Sequence, residues 1–497
     1  MIAYRLKSKR ISWIDIVFVL MMAGILYYGA SWQFFSGNDD VARYQCYTQE
    51  FLHGRNSLGS LGSSNCHFLI NPDPSIVPMT QTELVNSLKS AHVPAFIVNY
   101  VNTQSRDQRF HALPYEYPML TLIPFTLAML VVPASLFQIS FALLMVLLAA
   151  VVYFVLLRWR SRGTAVAYAI LLVAGGWGTV AGRFDLIPSA LTLIAVILGD
   201  RKRWNWAFAF LALAVLYKYY PVVLLIPFLV VQLRDSEFAW KSWKRWQPLG
   251  IFVLFSVVVM GISLLLSVQG TISPFLYLGN RPIQVESLAA VFAWLNTTLF
   301  SHTAQYAYTF GSLNIEAPGA SIFSTVTTLL ELVGVLYVFW LLWRRKLDLA
   351  ACCLLILLLI IVTGKVFSPQ YLIWVIPLVA YVGANKRSWV ALWFIIGTCT
   401  MIIYPFLYTR IHNIVVIPTI WSFFPLVTLR NFLLAGFTVY LLYRATRYTL
   451  TKVVLEDSLI PVEYATPVEN SSIIEYPTPV ESSIPVEGSS SVERLEE

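Results

Sequence analysis

Two adjacent aspartates, Asp39 and Asp40, follow directly on a long apolar run in the stretch SGNDDVARYQCY. Side-by-side carboxylates repel one another, and close to hydrocarbon neither is well solvated. The other polar residues retained at the ends of apolar runs, away from the basic turns, are few. They are Glu116 and Tyr117 in YEYP, Arg183 and Asp185 in GRFDLIP, Lys218 in YKYYP, Arg281 and Glu286 in NRPIQVES, and Lys365, Ser368 and Gln370 in GKVFSPQ. Carboxylates can accept protons and fixed cations can hold an anion. Ionisable groups at membrane depth are costly and by default mark a site.

The elements that must position these groups follow from composition. The chain has 497 residues, 58% hydrophobic and only 12% charged, with a mean hydropathy of +0.69. A soluble domain is nearer ~45–50% apolar and ~25% charged. The excess sits in repeated long apolar runs, which predicts an all-α polytopic membrane protein. The first run, 11–32, follows Arg5, Lys7, Lys9 and Arg10 and carries no small-x-small cleavage site, so it reads as an uncleaved span with its N-terminus inside. The net charge of +8 lies in short turns and reads as a topology signal and lipid-headgroup contact. It gives no indication of nucleic-acid binding.

Basic turns at 158–162, 201–203, 241–245, 344–346, 386–387 and 444–447 can all be cytoplasmic if 119–157, with Pro124 and Pro133, crosses only once. That gives about twelve spans. The runs at 186–199 and 204–217 are short for a span of ~20 residues. Two large loops, about 33–113 and 269–319, then face outward and are expected to bear short interfacial helices; connections this long usually carry function. On this map every polar residue named above lies at the outer side, which suggests a single cavity. The tail, 448–497, repeats Pro, Val, Glu and Ser and is expected to be a disordered, acidic, cytoplasmic segment appended to a membrane domain spanning 1–447.

Each residue also has a plainer reading. Lys218 beside Tyr219 and Tyr220 fits an interfacial anchor, Arg183 and Asp185 fit a local ion pair, and Glu286 fits a solvated position on an amphipathic segment, 284–300, lying along the membrane. His53, His67, His92 and His111 match no metal spacing. Cys352, Cys353 and Cys399 lie in apolar runs as packing residues. Cys46 and Cys66 share the first loop and can pair if it faces an oxidising compartment.

Six stretches occur in order: DDVARY, YEYP, RFDLIPSALTLIAVIL, YKYYPVVLLIPF, RPIQVESL and KVFSPQYLIWVIPL. From residue 11 to about 447 the chain resembles the GT-C superfamily of lipid-linked-sugar glycosyltransferases, and most of all glycosyltransferase family 87, the polyprenol-phosphate-mannose-dependent mannosyltransferases. The resemblance implies a GT-C-like bundle in a bacterial plasma membrane with its active site facing outward. It also implies a catalytic acid in the first outer loop, where Asp40, Val41 and Tyr44 match the family pattern. After YEYP the family usually has two further prolines, whereas Met119 follows Pro118 here.

On that reading the donor is a polyprenyl-phosphate sugar and the acceptor a lipid-linked or other glycan. Mannosyl, or another hexosyl, is the expected group transferred. Asp40 is the expected general base, and Asp39 raises its working pKa or binds acceptor hydroxyls. Lys218, Arg183, Arg281 and Lys365 are candidates for the single phosphate, Lys218 first. With those cations no divalent metal and no cofactor is obligatory. The competing class is a transporter or lipid flippase, which would show internal repeats and helices interrupted at the midplane. The sequence has no convincing repeat outside the tail.

Overall fold

The computed structural model describes residues 11–35, 39–61, 65–71, 79–383, 386–409, 411 and 413–447. The expected acidic tail and the first basic cluster lie outside them. Among the described residues six helices are long and apolar enough to cross a membrane, Trp13–Gln33, Ala134–Trp159, Trp243–Leu266, Ala320–Trp343, Arg387–Leu407 and Phe423–Arg447, and seven more apolar helices are shorter, at 10–17 residues. The chain is an integral membrane protein. The stretch 119–157 breaks at Val132–Pro133 into a short helix, Leu122–Val131, and a long one, Phe137–Trp159. Only the second is long enough to span.

The long and short helices divide by what surrounds them. Trp243–Leu266 and Ala320–Trp343 expose apolar side chains such as Leu254, Val257, Leu332 and Val333. A face of that kind, on a helix of this length, is solvated by lipid. Leu349–Thr363 and Tyr371–Gly383 are instead buried on nearly every side and lie at the centre of the main core. A helix apolar all round belongs inside. The central helices are short because each stops where the chain opens into a polar break. Such breaks are tolerated at membrane depth only when enclosed by protein or lining a cavity.

The breaks carry the polar residues singled out above. Arg183 is extended between Val180–Gly182 and Leu186–Asp200, and Lys218 is extended between Trp204–Tyr217 and Tyr220–Leu224. Lys365 to Gln370 join the two central helices. Pro221 opens the turn after Lys218, where its fixed φ suits a helix start.

An acid in the first span is neutralised internally. Arg162 grips Asp15 through two nitrogens at 2.9 Å each, so that basic turn ties two helices together.

The first loop is built from Asp40–His53 and the short helices His67–Ile70, Gln81–Ser90 and Ala95–Thr103. Cys46 and Cys66 are joined by a disulfide, and buried Glu50 receives two charge-assisted hydrogen bonds from Arg106 at 2.6 and 2.9 Å. Both links hold the C-terminal part of Asp40–His53 against the rest of the loop.

The second loop departs from the all-α expectation. It contains the helices Val268–Asn280 and Leu288–Leu299, then an antiparallel hairpin, Gln305–Thr309 with Ser312–Glu316. Phe310 and Gly311 form its two-residue turn, both with positive φ, at 53° and 62°. That is the turn geometry whose twist suits a tight hairpin. Leu288–Leu299 is buried along Leu288–Val291 and packs on Ala320–Trp343, Phe423–Arg447 and Leu349–Thr363, so it does not lie free on a membrane surface.

Candidate functional site

The helix Asp40–His53 starts at Asp39, whose carboxylate accepts the Ala42 N–H at 2.7 Å as the N-cap. An aspartate there satisfies one of the orphan donors of the first turn. Asp39 is thus turned towards backbone, and burial pushes its carboxyl up to about 6 despite the Ala42 hydrogen bond and the nearby Arg183. Tyr44, one turn on, is fully buried and stacks on Phe125 with centroids 4.2 Å apart. With that face anchored, Asp40 and Arg43, three residues apart on one helical face, point into an internal cavity of about 480 Å³. The volume falls within the ~300–1,000 Å³ typical of small-molecule sites.

The cavity gathers Asp40, Glu116, Tyr117, Arg183, Asp185, Lys218, Arg281, Lys365, Ser368 and Gln370. Three of its cations are already matched to carboxylates. Arg183 pairs with Asp40 and Arg43 with Glu116, and Lys218 Nζ lies 2.6 Å from Asp185 Oδ1. The same Asp185 oxygen accepts Trp374 Nε1–H at 2.6 Å. Trp374 in turn is sandwiched between Tyr220 and Tyr371, with centroids at 4.1 and 3.9 Å. Tyr117 packs edge-on against Phe184 at 5.1 Å and forms an aromatic wall beside Lys218.

Two cations differ. Among the described residues neither Arg281 nor Lys365 has a carboxylate within ion-pair distance. Lys365 Nζ donates to the Gly279 carbonyl at 3.0 Å, and the Arg281 guanidinium sits 5.8 Å from the Tyr277 ring centroid. Ser368 Oγ donates to Gln370 Oε1 at 2.7 Å beside them. The cavity lining therefore combines three cations paired to carboxylates, Arg43, Arg183 and Lys218, with two, Arg281 and Lys365, that lie outside ion-pair distance of any carboxylate among the described residues.

Two of the residues singled out in the sequence lie elsewhere. Asp39 is the helix cap just described. Glu286 is 1% exposed and does not line the cavity. Arg430 Nη1 donates to its carboxylate at 2.7 Å, while Arg430 Nη2 and Asn431 Nδ2 donate to its backbone carbonyl at 2.8 and 3.0 Å. This replaces the solvated position considered for Glu286. A buried acid paired in this way anchors its segment, and the neighbouring Gln284 N–H donates to the Lys365 carbonyl at 3.0 Å. The Glu286–Arg430 pair thus holds the segment after Arg281 against the one bearing Lys365.

Four groups escaped the sequence reading. Arg43 lies inside DDVARY and would have been found by its helical spacing from Asp40. Glu331 and Arg430 are ionisable residues within the apolar helices Ala320–Trp343 and Phe423–Arg447, which is itself a signal. Glu331 lines the cavity and accepts from Thr363 Oγ1 at 3.4 Å. Trp374, inside an apolar run, carried no such signal. Among the described residues no group of three or more His, Cys, Asp and Glu side chains is placed to hold a metal ion.

No protein-family model matches the sequence, and no curated protein matches it. Among solved structures the chain is similar to the crystal structure of ArnT from Cupriavidus metallidurans in the apo state. The TM-score is 0.37 at 15% sequence identity, over 87% of this chain and 77% of that chain.

Proposed function

We propose that the chain is an inverting GT-C glycosyltransferase that moves a sugar, a mannosyl or other hexosyl group, from a polyprenyl-phosphate donor to a lipid-linked or glycan acceptor. The observation that carries this reading is the cavity's division of charge. One carboxylate, Asp40, and two cations outside ion-pair distance of any carboxylate among the described residues, Arg281 and Lys365, line the same cavity. A sugar linked to polyprenol through a phosphodiester needs both: a base for the attacking hydroxyl and positive charge for the departing polyprenyl phosphate, a monoester that leaves with one more negative charge.

In the reaction the acceptor oxygen forms a bond to the anomeric carbon as the carbon–phosphate oxygen bond breaks. The hydroxyl proton becomes acidic as that bond forms and passes to Asp40. The electron pair leaves with polyprenyl phosphate, whose charge is held by Arg281 and Lys365. Attack opposite the leaving group inverts the anomeric configuration. Arg183, paired with Asp40, orients its carboxylate before the transfer. The Cys46–Cys66 disulfide supports an outward-facing first loop, since disulfides persist in oxidising compartments.

The test is turnover of radiolabelled polyprenyl-phosphate hexoses by the purified protein with a chelator present. Wild type is expected to form a larger glycosylated product. Asp40→Asn is expected to lower turnover by roughly 10²–10⁴, the usual share of a general base, with donor binding retained. No product from any donor, or an unimpaired Asp40→Asn variant, would refute the assignment.

A further inference from the structure

A second cavity, of about 230 Å³, lies between the first loop and the helix Val268–Asn280. A thin wall separates it from the first. Tyr115, facing the loop cavity, and Tyr277, facing the charged one, have ring centroids 6.1 Å apart. Beside them Arg43, from the charged cavity, lies 4.7 Å over Phe68, from the loop cavity.

The chemistry of the loop cavity differs from that of its neighbour. Arg106 is committed to buried Glu50, and Arg55 donates to the Ile70 carbonyl at 2.6 Å. Asp107 offsets the remaining charge at the rim. Around them, Thr80, Ser105, Gln269 and Ser273 line the cavity with Phe68 and Tyr115 as apolar faces. Ser105 Oγ donates to Asp107, Ser273 Oγ to the Gln269 carbonyl and Gln269 Nε2 to the Met79 carbonyl, so that these groups offer a ligand mainly acceptor lone pairs, with the Thr80 hydroxyl as a donor. Gln81 also lines it, its Nε2 engaged with the Val101 carbonyl. Near-neutral charge, small hydroxyl and amide groups that are mainly acceptors, and aromatic faces do not suit a phosphate. They do suit an uncharged polyhydroxylated ring, which presents hydroxyl edges and an apolar C–H face.

We propose that this loop cavity binds a saccharide and is the subsite for the acceptor, so that the acceptor is a chain of at least two sugars. One unit would sit in the loop cavity and the next would reach past the Tyr115–Tyr277 wall towards Asp40. The acceptor role rests on the transferase reading; the saccharide site does not.

The experiment is saturation-transfer NMR on the full chain in detergent with soluble oligosaccharides of two to four hexoses. Wild type is expected to bind, Ser105→Trp to weaken binding at least tenfold by filling the cavity from its rim, and Asp107→Ala to weaken it severalfold without adding bulk. Absence of saccharide binding, or equal binding in both loop variants with unchanged melting temperatures, overturns the proposal. In the turnover assay, Ser105→Trp is expected to raise the acceptor KM tenfold or more with the donor KM unchanged. Saccharide binding without turnover of any donor would leave the site standing and remove the transferase reading. Turnover with an acceptor KM insensitive to both variants would do the reverse.

Discussion

Lys218 and Asp185 form a buried ion pair, Nζ to Oδ1 at 2.6 Å, in which Trp374 donates to the same carboxylate oxygen. A lysine so engaged has little charge to offer a ligand. This shifts the expected role of Lys218 from holding a phosphate to holding the cavity wall, and it has a measurable signature. Lys218→Met leaves Asp185 buried and unpaired, which costs about 3–5 kcal/mol of stability. Adding Asp185→Asn is expected to recover a large part of that loss, a non-additivity that a double-mutant cycle of melting temperatures reads directly.

Arg281 and Lys365 are expected to behave in the opposite way. Without carboxylate partners to strand, Arg281→Met and Lys365→Met should cost little stability. Each should raise the donor KM about ten- to a hundredfold, the loss of one charge-assisted hydrogen bond of about 1.5–3 kcal/mol. Lys365→Arg should retain much of the affinity. Steady-state kinetics against donor concentration decide it; a donor KM more sensitive to Lys218→Met than to both of these would reverse the ranking.

Asp39 provides a pH signature distinct from catalysis. Its folded-state value, raised from 3.8 to about 6 mainly by burial, means that its contribution to stability is fully present below about 3.8. That contribution is lost as pH rises through about 6. The shift corresponds to at most about 3 kcal/mol. Asp39→Asn can still cap Ala42 but cannot titrate. Relative to the variant, wild type is expected to lose stability between pH 4 and 7, measured by thermal unfolding in detergent. The same variant should keep most of its turnover, unlike Asp40→Asn.

The Glu286–Arg430 pair is expected to be structural in origin and functional in effect. Arg430→Leu strands the Glu286 carboxylate in the core, a loss of about 3–5 kcal/mol, although Asn431 still donates to the Glu286 carbonyl. Glu286→Gln should be milder, because its carbonyl still receives Arg430 and Asn431. If the pair positions the neighbouring cations, Glu286→Gln should raise the donor KM in proportion to its loss of stability. Melting temperature and donor KM measured together test that link.

Much of this protein could be read along the chain. The apolar runs require membrane helices because backbone polar groups in lipid must be satisfied within the segment. Few ionisable residues survive at the ends of those runs, so Asp40, Arg183, Lys218, Arg281 and Lys365 stand out before any fold is known. The Phe310–Gly311 hairpin was also within reach, since QYAYT-FG-SLNIE alternates around a glycine turn.

Pairing was not legible. Linear order says nothing about which carboxylate meets which cation, and the choice inverts meaning: Lys218 is neutralised across 33 residues by Asp185, whereas Arg281 and Lys365 are left with their charge. Asp39 and Asp40 are neighbours in sequence, yet the helix start turns one to the backbone and the other to the cavity. Glu286 finds Arg430 at a separation of 144 residues. Hydropathy is a property of segments and is carried by the chain itself. Charge compensation depends on distances of a few ångströms between segments, and only the packed structure sets those.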